Sequence, residues 1–169
     1  MKGIIRTKNG FSLVEVIVVM LLIGIIAAVA GTGLVKVVQG MVFTKKNAAV
    51  IQKGQIAMTR LVKEFTNIKI SGIDIDPVYT NAASIKFTSI KDGVEGSHTV
   101  KLAGSTITFD GDILTDQVNG FILNYYDSYD SPAQTTWQSS RRIIEITIQL
   151  KGANEVISDF KARVKPRKL

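Results

Sequence analysis

Apolar and polar positions change rhythm three times along the chain. Residues 1–10 (MKGIIRTKNG) are basic and polar apart from Ile4 and Ile5. Phe11–Val14 opens an apolar stretch, Glu15 interrupts it, and Val16–Val35 carries no charge. Twenty helical residues at about 1.5 Å each span about 30 Å, the thickness of a bilayer's hydrocarbon core. Past Gly33 the pattern becomes amphipathic. Val35, Val38, Val42, Ile51, Gln55, Met58, Leu61, Val62, Phe65 and Ile68 fall on a 3.6-residue period, with Lys45, Lys46, Lys53, Arg60, Lys63 and Lys69 mostly off it. No proline occurs before Pro77. This predicts one long helix from about Phe11 to about Thr66, with Gly40 and Gly54 as weak points. Its second half should pack one face on a sheet.

After Ser71-Gly72 the period drops to two. Ser84–Ile90, Thr99–Leu102, Thr106–Phe109, Gly120–Tyr126, Arg141–Leu150 and Val156–Lys165 read as strands. Ala103-Gly104-Ser105 reads as a hairpin turn. Phe121, Leu123 and Tyr125 share one face. Ile144, Ile146, Ile148 and Leu150 should face inward, with Glu145, Thr147 and Gln149 outward. In the last strand Ser158, Phe160, Ala162 and Val164 point in. Asp127–Ser140 is a longer polar loop. Short links predict an antiparallel meander, so the fold class is α+β: a long N-terminal helix packed on a C-terminal antiparallel β-sheet.

Composition narrows the chemistry. The chain has 169 residues, room for one helical segment and one globular domain. It has no cysteine, which excludes a disulfide framework, a thiolate zinc site and a cysteine nucleophile. Net charge is +7; Lys2, Arg6 and Lys8 supply three of these charges, so a chain starting at Phe11 carries +4. The C-terminal run Arg163, Lys165, Arg167 and Lys168 lacks interleaved aromatics or a nucleic-acid motif, and reads as a solvated strand face and chain end. The single histidine, His98, has no Ser/Asp partners placeable from sequence, and no phosphate loop or HExxH occurs. No catalytic residue and no cofactor is expected, and the chain reads as a non-enzyme. Two acidic clusters are weak calcium candidates: Asp110, Asp112 and Asp116, and Asp127 with Asp130. Neither matches an EF-hand, and the turn FDGD reads first as a hairpin.

The N-terminal 35 residues admit three readings. One is a secretory signal peptide cut after the small-x-small site Ala28-Val29-Ala30, which would release a soluble β-rich binding protein. Against it, the apolar run continues past that site to Val35. Another is an uncleaved signal anchor, with its basic end cytoplasmic. The third makes use of Glu15. A carboxylate near the start of a membrane helix costs on the order of 1–3 kcal/mol, and neither of the first two readings gains from it.

K-N-G-F-S-L-V-E-V followed by a long apolar run resembles the class III signal of type IV pilins and type II secretion pseudopilins. The motif itself covers about the first 35 residues. The resemblance implies cleavage by a prepilin peptidase between Gly10 and Phe11, N-methylation of Phe11, and a pairing of Glu15 with the N-terminal amine of a neighbouring subunit that sets axial register. It divides the chain into a leader (1–10), a transmembrane and filament-core helix (11–35), an amphipathic helix (36–70) and a periplasmic β domain (71–169). Many members carry a proline about twenty residues into the mature chain; here Gly31-Thr32-Gly33 stands at that place and offers a soft spot without a fixed kink.

The later segments F-I-L-N-Y-Y-D (Phe121–Asp127), R-R-I-I-E-I-T-I-Q-L (Arg141–Leu150) and F-K-A-R-V-K-P-R (Phe160–Arg167) resemble the minor pseudopilins, most closely the J type. A minor pilin of a type IV pilus or a competence pseudopilus shares the pattern. The implied partners are the prepilin peptidase, other pilin-like subunits, the inner-membrane assembly platform and, as a further candidate, exported substrate, with no nucleic acid. The implied location is the bacterial inner membrane, single-pass with the C-terminal domain in the periplasm, and then the filament.

Overall fold

The computed structural model describes residues 10–91 and 93–167. The N-terminal cations Lys2, Arg6 and Lys8, and Lys168 of the C-terminal run, lie outside the described residues. Helix α1 runs Leu13–Thr66 and begins two residues later than the periodicity suggests. Ser12 is the reason. Its Oγ accepts the N–H of Glu15 at 3.2 Å, and its carbonyl accepts the N–H groups of Glu15 and Val16. This is an N-cap, which satisfies donors that have no partner inside the helix. The chain divides into two compact units between Val42 and Phe43, inside α1.

In the second unit the helix is followed by β1 (Ile68–Ile73), β2 (Ser84–Lys91), β3 (Val94–Ala103), β4 (Thr106–Phe109), β5 (Asp112–Thr115), β6 (Val118–Tyr126), β7 (Ile143–Lys151) and β8 (Ile157–Val164). They form two antiparallel sheets rather than one, ordered β1-β2-β3-β4-β5 and β6-β7-β8. Every neighbour is also the next strand in sequence, so both sheets are meanders, as the short links imply. The architecture is α+β, one long N-terminal helix followed by antiparallel sheets. β1 and β5 were not legible as strands, and β3 extends well before Thr99. The β3–β4 hairpin turns at Gly104, whose φ of +62° is open to glycine.

The helix buries Val50, Gly54, Ala57, Leu61 and Phe65. This face is rotated by about one residue from the expected stripe: Ile51 and Gln55 are exposed, and Met58 and Val62 are half-buried. Small residues explain the rotation. With only hydrogen at position 54 and a methyl at 57, the backbone comes close to β8, and the Phe160 ring occupies the space that a Cβ on Gly54 would take. Gly54 is thus a packing site. At the helix end Phe65 meets Phe87 edge-on, with ring centroids 5.4 Å apart. Ile85, Ile107, Leu123, Tyr125 and the inward row Ile144, Ile146, Ile148 and Leu150 complete the core.

One expectation fails on the second sheet. Glu145 does not face solvent; it is 1 % exposed. The longer polar loop 127–140 folds back on the sheet, which its composition did not indicate. Gln134 pairs with Tyr125 through two backbone hydrogen bonds, and Trp137 is buried edge-on against the Tyr125 ring at 5.6 Å. An apolar residue within a hydrophilic loop is the force that brings it down.

Candidate functional site

The N-terminal segment is built on the first turns of α1. Gly10 precedes the helix, is exposed, and a Cβ there would meet nothing within 4 Å. Among the described residues, nothing in the packing requires glycine at this position. Phe11 is 79 % exposed. Ser12 caps the helix and Glu15 follows in its first turn, in the S-x-x-E spacing of a capping box. Of that box the Ser12 half is formed. Among the described residues the Glu15 carboxylate has neither a hydrogen-bond nor an ion-pair partner. It lies where the helix dipole favours a negative charge.

From Val16 to Val35 the helix is apolar on all faces. Large side chains from Val16 to Val38 stand exposed. Its most apolar 18-residue window has a mean hydropathy of 3.0 and no residue buried. A stripe facing a protein core would leave one side polar; this segment leaves none. Gly31, Thr32 and Gly33 are helical, and Thr32 Oγ1 donates to the Val29 carbonyl at 3.0 Å. Ala28-Val29-Ala30 is helical as well. Side chains at Gly24, Gly31, Gly33 and Gly40 would meet open space.

Residues 5–31 match the prokaryotic N-terminal methylation motif. The match supports a type IV pilin-like protein. It spans Gly10, Phe11, Glu15 and most of the apolar run, and stops before the amphipathic half of the helix. The motif implies processing by prepilin peptidase and assembly with other pilins. The long apolar helix is consistent with membrane anchoring and with a filament. No curated protein and no solved structure matches the chain.

The calcium candidates are spoken for or dispersed. Asp110 closes the β4–β5 turn with a φ of +54°. Its Oδ2 is 2.6 Å from His98 Nδ1 and its Oδ1 accepts the N–H of Thr99 at 2.7 Å. Asp112 begins β5, exposed, while Asp116 pairs with Lys53 at 2.7 Å. Asp127 accepts a hydrogen bond from Ser140 Oγ, and Asp130 is exposed. Among the described residues no three or more metal-ligating side chains gather. His98 is half-buried between the rings of Phe87 and Phe109. It therefore serves the sheet, with Asp110 holding its Nδ1.

One polar constellation escaped the sequence reading. Glu145 on β7 is opposed by Asn124 on β6 and Arg163 on β8. Arg163 Nε donates to its Oε2 at 2.7 Å, Lys161 Nζ lies 3.1 Å from Oε1, and Tyr126 Oη and Asn124 Nδ2 donate to Oε1 at 3.0 and 3.3 Å. Burial opposes ionisation, but these four partners outweigh it and hold the carboxyl at about 2. Arg163 also reaches the Tyr129 carbonyl at 3.2 Å and stacks on the Tyr126 ring, so the network ties loop 127–140 to the sheet. The alternation in RRIIEITIQL gave no sign of this, because the cross-strand register that puts Arg163 opposite Glu145 is set by tertiary structure.

Proposed function

We propose that this chain is a structural subunit of a pilus-like filament, and that its place is that of a minor, tip or initiation, pseudopilin of a type II secretion system. In this reading a prepilin peptidase cuts between Gly10 and Phe11 and methylates the new amine of Phe11. Glu15 then pairs with the Phe11 amine of the next subunit. The observation that carries it is the methylation motif over residues 5–31, with an unpartnered carboxylate at Glu15 ahead of an uncharged span.

The physical case is one of matched needs. A carboxylate moved from lipid into a packed bundle must find a cation or hydrogen-bond donor there, or its burial is strongly unfavourable. The amine freed at Phe11 is one helical turn from Glu15 in its own chain and is the nearest cation of the mature N-terminus. The exposed apolar surface from Val16 to Val35 suits hydrocarbon first and neighbouring helices afterwards. The positive charges ahead of the span support a periplasmic β domain.

Deleting the chain from its host distinguishes the minor-pseudopilin role from its relatives. Retention of exported proteins behind the outer membrane supports it. Normal export with loss of surface pili assigns the chain to a type IV pilus, and loss of DNA uptake alone assigns it to a competence pseudopilus.

A further inference from the structure

Arg141, at the entry to β7, is a buried cation short of acceptors. It is 5 % exposed. Its Nη2 donates to Gln138 Oε1 at 3.2 Å, while Nε and Nη1, both buried, have no acceptor among the described residues. The acids tied to this part of the sheet are engaged elsewhere. Glu145, further along β7, is held by Arg163, Lys161, Tyr126 and Asn124, and Asp127 accepts from Ser140 Oγ. A guanidinium stays charged at any physiological pH and carries five N–H donors. Burying it against one neutral amide is strongly unfavourable unless an anion completes its hydrogen bonding.

A recess of about 470 Å³ stands beside it. Residues 136–140, which lead directly into Arg141, line one side, and Ile75 and Pro77 of the β1–β2 loop line the rest. Among the described residues, none that line it is charged. Gln138 is the link, since it lines the recess and its Oε1 takes the Arg141 Nη2. The walls are braced. The Arg141 N–H donates to the Gln138 carbonyl at 2.9 Å, Arg142 Nη1 donates to the Ser139 carbonyl at 2.8 Å, and Trp137 packs edge-on against Tyr125. A recess formed in advance, with apolar walls and a cation behind one amide, suits a small anionic group on an apolar stem.

We propose that this recess takes a carboxylate on an apolar stem, presented by a peptide segment of a partner protein, with Arg141 as its counter-charge. The Gln138 side chain turns aside, and the carboxylate oxygens supply the acceptors that Nε and Nη1 lack. Ile75, Pro77 and Trp137 take the stem. A chain end with an apolar last residue and an acidic side chain both carry this chemistry. The recess opens between two surface loops, so a protruding segment of chain reaches it. The inference goes beyond the filament reading and does not rest on it.

Emission from Trp137, the single tryptophan, reports occupancy because the ring lines the recess. Full-length chain in detergent is titrated with three probes at constant ionic strength. N-acetylleucine stands for a chain end, N-acetylglutamic acid α-amide for an acidic side chain, and N-acetylleucine amide for the stem without charge. The expected result is a saturable change with an acid, at concentrations about tenfold or more below those the amide needs. The tighter acid identifies the source of the carboxylate. Arg141→Met should abolish the preference for acid and leave the thermal midpoint unchanged or higher, since it removes a buried charge. Ile75→Glu, at a position 69 % exposed, should weaken the acid about threefold by like-charge repulsion and leave the amide alone. This second variant keeps the test decisive where Arg141→Met fails to fold. Equal binding of acid and amide, no saturable binding of either acid, or tighter binding of inorganic sulfate overturns the proposal. So does a lowered midpoint in Arg141→Met with the acid preference intact, which assigns the guanidinium to the fold.

Discussion

The Phe160 ring fills the place where a side chain at Gly54 would be. This one contact fixes how closely the helix approaches β8, and it decides which helix face is buried. Substitution of Gly54 by Ala has two opposed effects. It favours the helix by about 1 kcal/mol, and it overpacks the Phe160 ring at about 1–3 kcal/mol. We expect Gly54→Ala to lower stability by about 1 kcal/mol in urea unfolding of the full chain in detergent. In a Phe160→Ala background the clash is gone, and the same change should raise stability. The same sign in both backgrounds would show that the ring yields freely.

Glu145 gives stability a pH dependence with a defined direction. Its carboxyl is held at about 2, below the ordinary value of 4.5. The folded state therefore binds the proton less readily than the unfolded chain. The stabilisation is fully present above about pH 4.5 and is lost as pH falls towards about 2. Its size is on the order of 3 kcal/mol. Glu145→Gln should be less stable at neutral pH and show a flatter profile between those limits. Emission from Trp137, the single tryptophan, reports the transition because the ring is buried against Tyr125. An unchanged acid slope in the variant would place the titrating group elsewhere.

Removing Arg163 should release the loop more than it weakens the sheet. Arg163→Met loses the bonds to Glu145 and to the Tyr129 carbonyl but keeps much of the apolar stem. Hydrogen exchange at residues 127–140 should rise while that of β7 stays protected. Equal loss of protection in both would mean that the network holds the sheet itself.

Ser12 and Glu15 are neighbours in one capping pattern, yet they should behave differently. Ser12→Ala removes an N-cap at a cost of about 1 kcal/mol and should fray the first turn with assembly retained. Glu15→Leu should leave membrane insertion intact, since it removes a charge from an apolar helix, while incorporation into filaments falls. Fractionation of membranes and sheared filaments measures both. Normal incorporation of Glu15→Leu would count against the register role.

The sequence was most informative where one physical demand dominates. An uncharged 20-residue run and a period of 3.6 without proline mark the helix to within two residues, and strict alternation marks Ile144 to Leu150 as an inward row. It was least informative where two demands compete. The helix face was misplaced by one residue because Gly54 and Ala57, poor in apolar surface, are buried for closeness rather than hydrophobicity. β5 is four residues long, and β1 carries a register irregularity against β2, so neither shows a clean period. Glu145 looked outward because alternation gives the face and not what covers it; Arg163, Tyr126 and loop 127–140 do so from elsewhere in the chain. The motif over residues 5–31 was legible for the opposite reason. Among the described residues nothing packs on Gly10, so the fold does not account for a glycine there.

The mass of the mature N-terminal peptide, taken from chain purified out of membranes that contain a prepilin peptidase, tests the central claim most directly. The account predicts a chain that begins at Phe11 and carries one methyl group on its amine. A chain that begins at Gly31, after Ala28-Val29-Ala30, would contradict it.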